Sequence, residues 1–218
     1  MPTTTQKRPR LPRYADDAEY IRDEVRWIRQ RLEMLQAKRT QRELVRQFPV
    51  TPGEQRRESV RLSLFAWGRR LSEAHRSERT WRYEIDHRLN TGRMGRKWLS
   101  LDQLQRDFGL TDEDRTVLLL AAAPRLQREL EPLYDDLGRR ALSGRLTPEV
   151  LFAFLGAFDE DRIRLRSRFA SDAPLVANAL IHVSPGLSPA HPDLLDAELS
   201  LTERGLSGVL GAPLAAQT

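Results

Sequence analysis

The chain has 218 residues, of which 39% are hydrophobic and 31% charged, with no cysteine and a formal net charge of +5. That length holds one domain or two small ones, and the missing cysteines exclude disulfides and thiolate metal sites and fit a cytoplasmic location. No apolar run approaches the roughly 20 residues of a membrane span, and no apolar segment backs the basic N-terminus, so neither a membrane anchor nor a secretory signal is expected.

The charge is unevenly placed. Residues 1–100 hold 24 Lys+Arg against 13 Asp+Glu, a balance of +11, together with all four tryptophans. Residues 101–218 hold 12 against 18, a balance of −6. Asymmetry of this kind means either two regions with different partners or two halves that attract each other.

Residues 1–14 read as a flexible basic arm. A helix then begins near Ala15, with Ile21, Val25, Ile28, Leu32 and Leu35 at alternating spacings of four and three, the seam of a short coiled coil or helical hairpin. "FPVTPGEQ" interrupts it, and Thr51 with Glu54 can form a capping box for the next helix. That helix, roughly 52–77, places Val60, Leu64, Trp67 and Leu71 on one face and arginines on much of the rest. "ERTWRYEIDHRL" reads as a third amphipathic helix through Trp81, Ile85 and Leu89. The result is an N-terminal helical bundle over 15–91.

Beyond the basic linker "NTGRMGRKW", Ser100 is expected to cap a short helix that Gly109 ends. Thr111 caps the next, with Asp112, Glu113 and Asp114 in its first turn. This helix contains Val117–Ala123, seven apolar residues in a row; the cap and the three alanines favour a buried helix over a strand. Pro124 should break or kink it. "PRLQRELEPLYDDLGRR" gives another helix, "TPEVLFAFLGAF" a third started by Thr147 and Pro148, and "DEDRIRLRSRF" a fourth. "PLVANALIHV" and "LLDAELSL" read as strands around the proline-rich "SPGLSPAHPD". Helices followed by such a hairpin are the order of a winged-helix domain. The expected fold class is mainly α: the bundle, then a winged-helix-like domain over 99–211 with a small C-terminal β-hairpin, and a tail over 212–218.

The series "FGLTDEDRTVLLLAAAPRLQRELEPLYDDL", "RLTPEVLFAFL", "RFASDAPLVANALIHV" and "LLDAELSLTERGLSGVLG" resembles the region preceding the AAA+ module in ATPases of bacterial, phage-tail-like extracellular contractile injection systems. The shared features are Leu118 to Pro124, Tyr134 to Leu137 and Phe169 to Leu175, and "EYIRDEVRWIRQRLEML" also matches. The likeness covers about residues 18–211. It implies a winged-helix-like domain and partners among such ATPases or the structural proteins of the particle. Those ATPases continue into a nucleotide-binding module, whereas G-x-x-x-x-G-K-[ST] occurs nowhere here. ATPase activity is not carried over, and the chain is expected to be a stand-alone relative or an excised N-terminal portion.

No enzyme is expected. The two acidic clusters, Asp112–Asp114 and Asp159–Asp161, read as solvated first helical turns; Tyr134-Asp135-Asp136 is a candidate for buried polar contacts, and His182 reads as structural. No catalytic residue, cofactor or metal ligand is assigned. The helix "TPEVLFAFLGAF", taken as the one that would read bases, has no basic residue, and the proposed wing has no lysine or arginine. "DRIRLRSRF" does carry Arg162, Arg164, Arg166 and Arg168, which spread round a helix axis. Lys7, Arg8, Arg10 and Arg13 are the candidates for non-specific nucleic-acid contact, and Trp27, Trp67, Arg56, Arg69 and Arg70 for partner docking. The expected function is a non-enzymatic protein-interaction or recruitment domain. A nucleic-acid-binding regulator, and a structural subunit self-assembling through Ile21–Leu35, are the alternatives.

Overall fold

A computed structural model describes residues 11–47, 56–138, 144–156, 159–184 and 197–211, without the side chains of residues 47, 56–65, 67, 159 and 163. The first helix, α1 (Asp17–Gln47), forms as its spacing requires: Ile21, Val25, Ile28 and Leu32 are all buried, with Leu35 packed behind them. The Thr51–Glu54 box lies outside the described residues. The next two expected helices are one, α2 (Arg56–Met94), whose 39 residues span about 58 Å at 1.5 Å per residue. Between Leu71 and Trp81 there is no proline or glycine to stop it. Ser72 and Thr80 return their hydroxyls to the carbonyls of Gly68 and Arg76, one turn back, and stay inside the helical ladder.

The N-terminal bundle is therefore a two-helix antiparallel hairpin. Its register is fixed by Gln30 to Ser77 (3.0 Å), Arg82 to Glu24 (2.8 Å) and Arg88 to Asp23 (2.9 Å). Residues 11–14, expected as part of a flexible arm, are docked at its base. The Tyr14 ring is buried under the Arg88 guanidinium, 3.8 Å away, and Arg88 Nε donates to Pro12 O.

The winged-helix part begins with α3 (Ser100–Asp107). Ser100 is its first residue and not its cap. Asp17 of α1 supplies the cap instead, accepting from Ser100 N (2.7 Å) and Oγ (2.8 Å). Gly109 follows α3 in the left-handed region at φ +61°. Thr111 caps α4 (Asp112–Leu126) in a reciprocal box with Asp114. Every residue from Val117 to Ala123 is buried, each leucine contributing about 1.5–3 kcal/mol.

Pro124 does not end α4, which continues to Leu126. A proline removes the N–H that would bond the carbonyl four residues back, here Leu120. That carbonyl accepts instead from Tyr134 Oη at 2.8 Å. Tyr134 belongs to α5 (Glu131–Leu137), which follows a single 3-10 turn at Arg128–Leu130. Burial pushes its phenol well above the usual tyrosine range, so it remains a proton donor.

Thr147 and Pro148 open α6 (Pro148–Leu155), Thr147 Oγ1 accepting from Val150 N. Then come α7 (Asp159–Arg166), a 3-10 turn at Ser167–Phe169 and the short α8 (Pro174–Ala177). Residues 174–177 were expected as strand; Pro174, with its fixed φ, starts a helical turn instead, and the strand begins only at Ile181. β1 (Ile181–Ser184) pairs antiparallel with β2 (Glu198–Leu201), Ile181 opposite Leu201. Leu199 N also donates to Leu146 O on the other side, so β2 is central. The proposed wing loop, 185–196, lies outside the described residues.

A last helix, α9 (Glu203–Leu210), capped by Thr202, was not anticipated. It packs on α3 and α4. Gly208 makes the approach to α3 feasible, since a Cβ there would stand 2.8 Å from Leu104 Cδ1, and Gly205 lets α9 lie against the residue before β1, where a Cβ would stand 2.1 Å from Leu180 O. Among the described residues no helix is long and apolar enough to cross a membrane.

Candidate interaction surfaces

α6 ends at Gly156, which adopts φ +69°, and α7 starts three residues later. Two helices separated by only residues 156–158 follow the order of a helix-turn-helix, in which the second helix is the one that enters a DNA groove. That position belongs to α7, not to α6 as the sequence suggested. α6 is the inner helix: Val150, Leu151, Phe152 and Phe154 are at most 2% exposed.

The chemistry of α7 is distinctive. Its N-terminal residues, where base contacts are made in such motifs, are Asp159, Glu160 and Asp161. Arg164 of α7 and Arg168 of the 3-10 turn that follows it turn back onto α4. Arg164 grips Glu113 with both terminal nitrogens (3.1 and 2.7 Å), and Arg168 bonds Asp114 (3.1 Å) and Glu113 (3.0 Å). The Arg162 guanidinium lies 5.9 Å from the Phe152 ring centre. The Asp112–Asp114 cluster is thus more than a solvated turn: Asp114 is buried, serving both the Thr111 cap and Arg168.

A second polar feature links the hairpin to the winged-helix part. Arg82 of α2 donates to Glu24 Oε2 on α1 (2.8 Å), and Tyr20 Oη donates to Glu24 Oε1. Arg115 of α4 donates to Tyr20 Oη from Nε (3.2 Å) and to Asp102 Oδ1 on α3 from Nη1 (2.6 Å). Arg93 of α2 donates to the same Asp102 oxygen and closes the circuit. Glu24, Asp102 and Arg115 are all buried. Burial works against the Asp102 charge, but the hydrogen bonds from Arg93 and Arg115 outweigh it and hold its carboxyl below the usual range. A cavity of about 370 Å³ borders this seam, lined by Glu24, Arg82, Arg93 and Arg115 among others. Sequence reading missed it. Its trace was Tyr20 and Glu24, four apart beside the Ile21–Val25–Ile28 stripe, and an arginine directly ahead of an apolar run.

Trp27, expected on a docking surface, is an internal brace. Its Nε1 donates to Glu78 Oε1 (3.0 Å), and its ring meets Phe154 of α6 edge-on with centres 5.3 Å apart. Arg69 and Arg70 are exposed on α2, while the side chains of Arg56 and Trp67 lie outside the described residues. So do Lys7, Arg8 and Arg10. Arg13 is exposed with its guanidinium beside Gly95, at the end of α2. The tyrosine–aspartate segment makes three separate contacts: Tyr134 to Leu120 O, Asp135 to Gly144 N, and Asp136 to Gln36. His182 is exposed on β1. Part of the basic excess of the first hundred residues is engaged within the chain, with Arg31 on Phe154 O and Arg39 on Leu137 O.

A helix-turn-helix followed by an antiparallel hairpin whose second strand also meets the segment before the motif defines a winged-helix protein. The family model for a winged helix domain, variant, matches residues 2–214, and the chain belongs to that family. No curated protein and no solved structure matches the chain.

Proposed function

We propose that this winged helix is a non-enzymatic protein-interaction module, an adaptor or recruitment element in the cytoplasm, and not a reader of DNA. The observation that carries this is α7. Phosphate and base edges would meet Asp159, Glu160 and Asp161 first, and Arg164 and Arg168 would have to leave Glu113 and Asp114 to reach them. The sequence resemblance supplies the setting: an AAA+ ATPase of a bacterial contractile injection system, or the structural proteins of its particle, as partner.

Titrating the chain into a fluorescent random-sequence DNA duplex at rising salt tests the choice. The expected result is no binding that Arg164→Ala with Arg168→Ala weakens. Salt-sensitive binding lost in that double variant overturns the reading in favour of a nucleic-acid regulator. The setting is tested by the neighbouring genes: sheath, tube and baseplate genes beside this one support it, and their absence sinks it.

A further inference from the structure

On the outer side of α1 a groove of about 600 Å³ runs between that helix and the C-terminal ends of α4 and α9. Its apolar floor is Ile21 and Val25 of α1, with Leu126 and Leu210 at the far wall. Leu126 and Leu210 are the last helical residues of α4 and α9, and they stay 41% and 40% exposed. Leu126 stands there because α4 continues past Pro124. Two large apolar side chains from two different helix ends, left open on one groove, mark a contact surface more strongly than scattered exposed leucines do.

The rim of the groove is basic. Arg22, Arg26 and Arg29 project from α1 at intervals of four and three, beside the apolar floor. Arg26 is held with its guanidinium 4.3 Å from the Trp81 ring centre, and Arg29 pairs with the exposed Glu33 at 3.0 Å. The acidic lining residue, Asp17, is engaged in capping α3. An apolar floor beside three arginines complements a helix with an apolar stripe flanked by carboxylates.

We propose that this groove is where the module takes its protein partner, and that the occupant is an acidic amphipathic helix presenting an apolar i, i+3, i+4, i+7 stripe. The proposal rests on the protein-interaction reading and specifies its surface. The basic rim guides approach and excludes basic helices; Leu126 and Leu210 provide the apolar anchors.

The test uses the full chain and two labelled synthetic helices with leucine at i, i+3, i+4 and i+7, one with glutamate at the flanking positions and one with lysine. Fluorescence anisotropy is expected to show binding of the glutamate peptide only. Leu126→Asp, and separately Arg22→Glu with Arg29→Glu, should each raise its Kd about tenfold or more. All these side chains are at least part-exposed, and an unchanged thermal melt confirms that the variants fold. Equal binding of both peptides, or glutamate-peptide binding that Leu126→Asp leaves unchanged, overturns the proposal. So does a dimer by analytical ultracentrifugation that Leu126→Asp dissolves, since the occupant is then a second copy. These outcomes remove the groove without touching the wider reading, which the DNA titration decides separately.

Discussion

The two sides of α4 bury opposite chemistry. Its middle, Val117 to Ala123, lies in an apolar core shared with α6 and the strands, whereas Arg115, half a turn earlier, sits in a ring of charge that reaches three other helices. Apolar contacts gain free energy in many relative orientations and reward volume above direction. The bonds of the ring form in only one, because Tyr20, Glu24, Asp102 and Arg115 must meet within hydrogen-bond distance together. The core therefore holds the winged helix together, and the seam sets where the hairpin lies on it.

The sharpest way to break that contrast is Arg115→Met. Removing the cation leaves Asp102 and the Tyr20–Glu24 pair buried without it, and a loss of about 3–5 kcal/mol is expected in chemical denaturation. Adding Asp102→Leu should recover much of the loss; if it does not, the ring is not acting as a unit. Leu118→Ala, at a fully buried core position, should cost about 2–5 kcal/mol with no rescue from any change in the seam. Tyr134→Phe is smaller, about 1–3 kcal/mol, since it leaves the Leu120 carbonyl buried and unbonded.

The smallest effect expected is on pH dependence. Asp102 has a lowered folded-state pKa, so its contribution is fully present above its unfolded value near pH 4 and is lost as pH falls through the folded one. Asp102→Asn should flatten the acid limb of stability against pH. An acid limb unchanged in that variant places the acid sensitivity elsewhere.

Much of the fold was legible where a local signal sufficed. The stripe of α1, the caps at Thr111 and Thr147, and the order of helices before a hairpin are each written within a few residues. The continuity of α2 was not, because serine and threonine near a turn signal a break only if their hydroxyls leave the helix. Residues 174–177 are a short apolar run that could serve as strand, and Pro174 decides against it. Asp17 capping Ser100 across 83 residues, and the ring through Arg115, arise only after folding brings distant segments together. Trp27 illustrates the same limit for the site: an aromatic among arginines reads as surface until Phe154 and Glu78 close over it.

Pro124 and Tyr134 form one chemical decision made at two positions. Any residue but proline at 124 would offer its own N–H to the Leu120 carbonyl, leaving the tyrosine hydroxyl to compete for an acceptor already served. The two changes should then be non-additive: in a Pro124→Ala background, Tyr134→Phe should lose most of its penalty. The covalent constraint of a pyrrolidine ring thus does the work of a tertiary fastener, obliging α4 to seek the donor that α5 holds, and so tying the order of two helices to the absence of a single hydrogen atom.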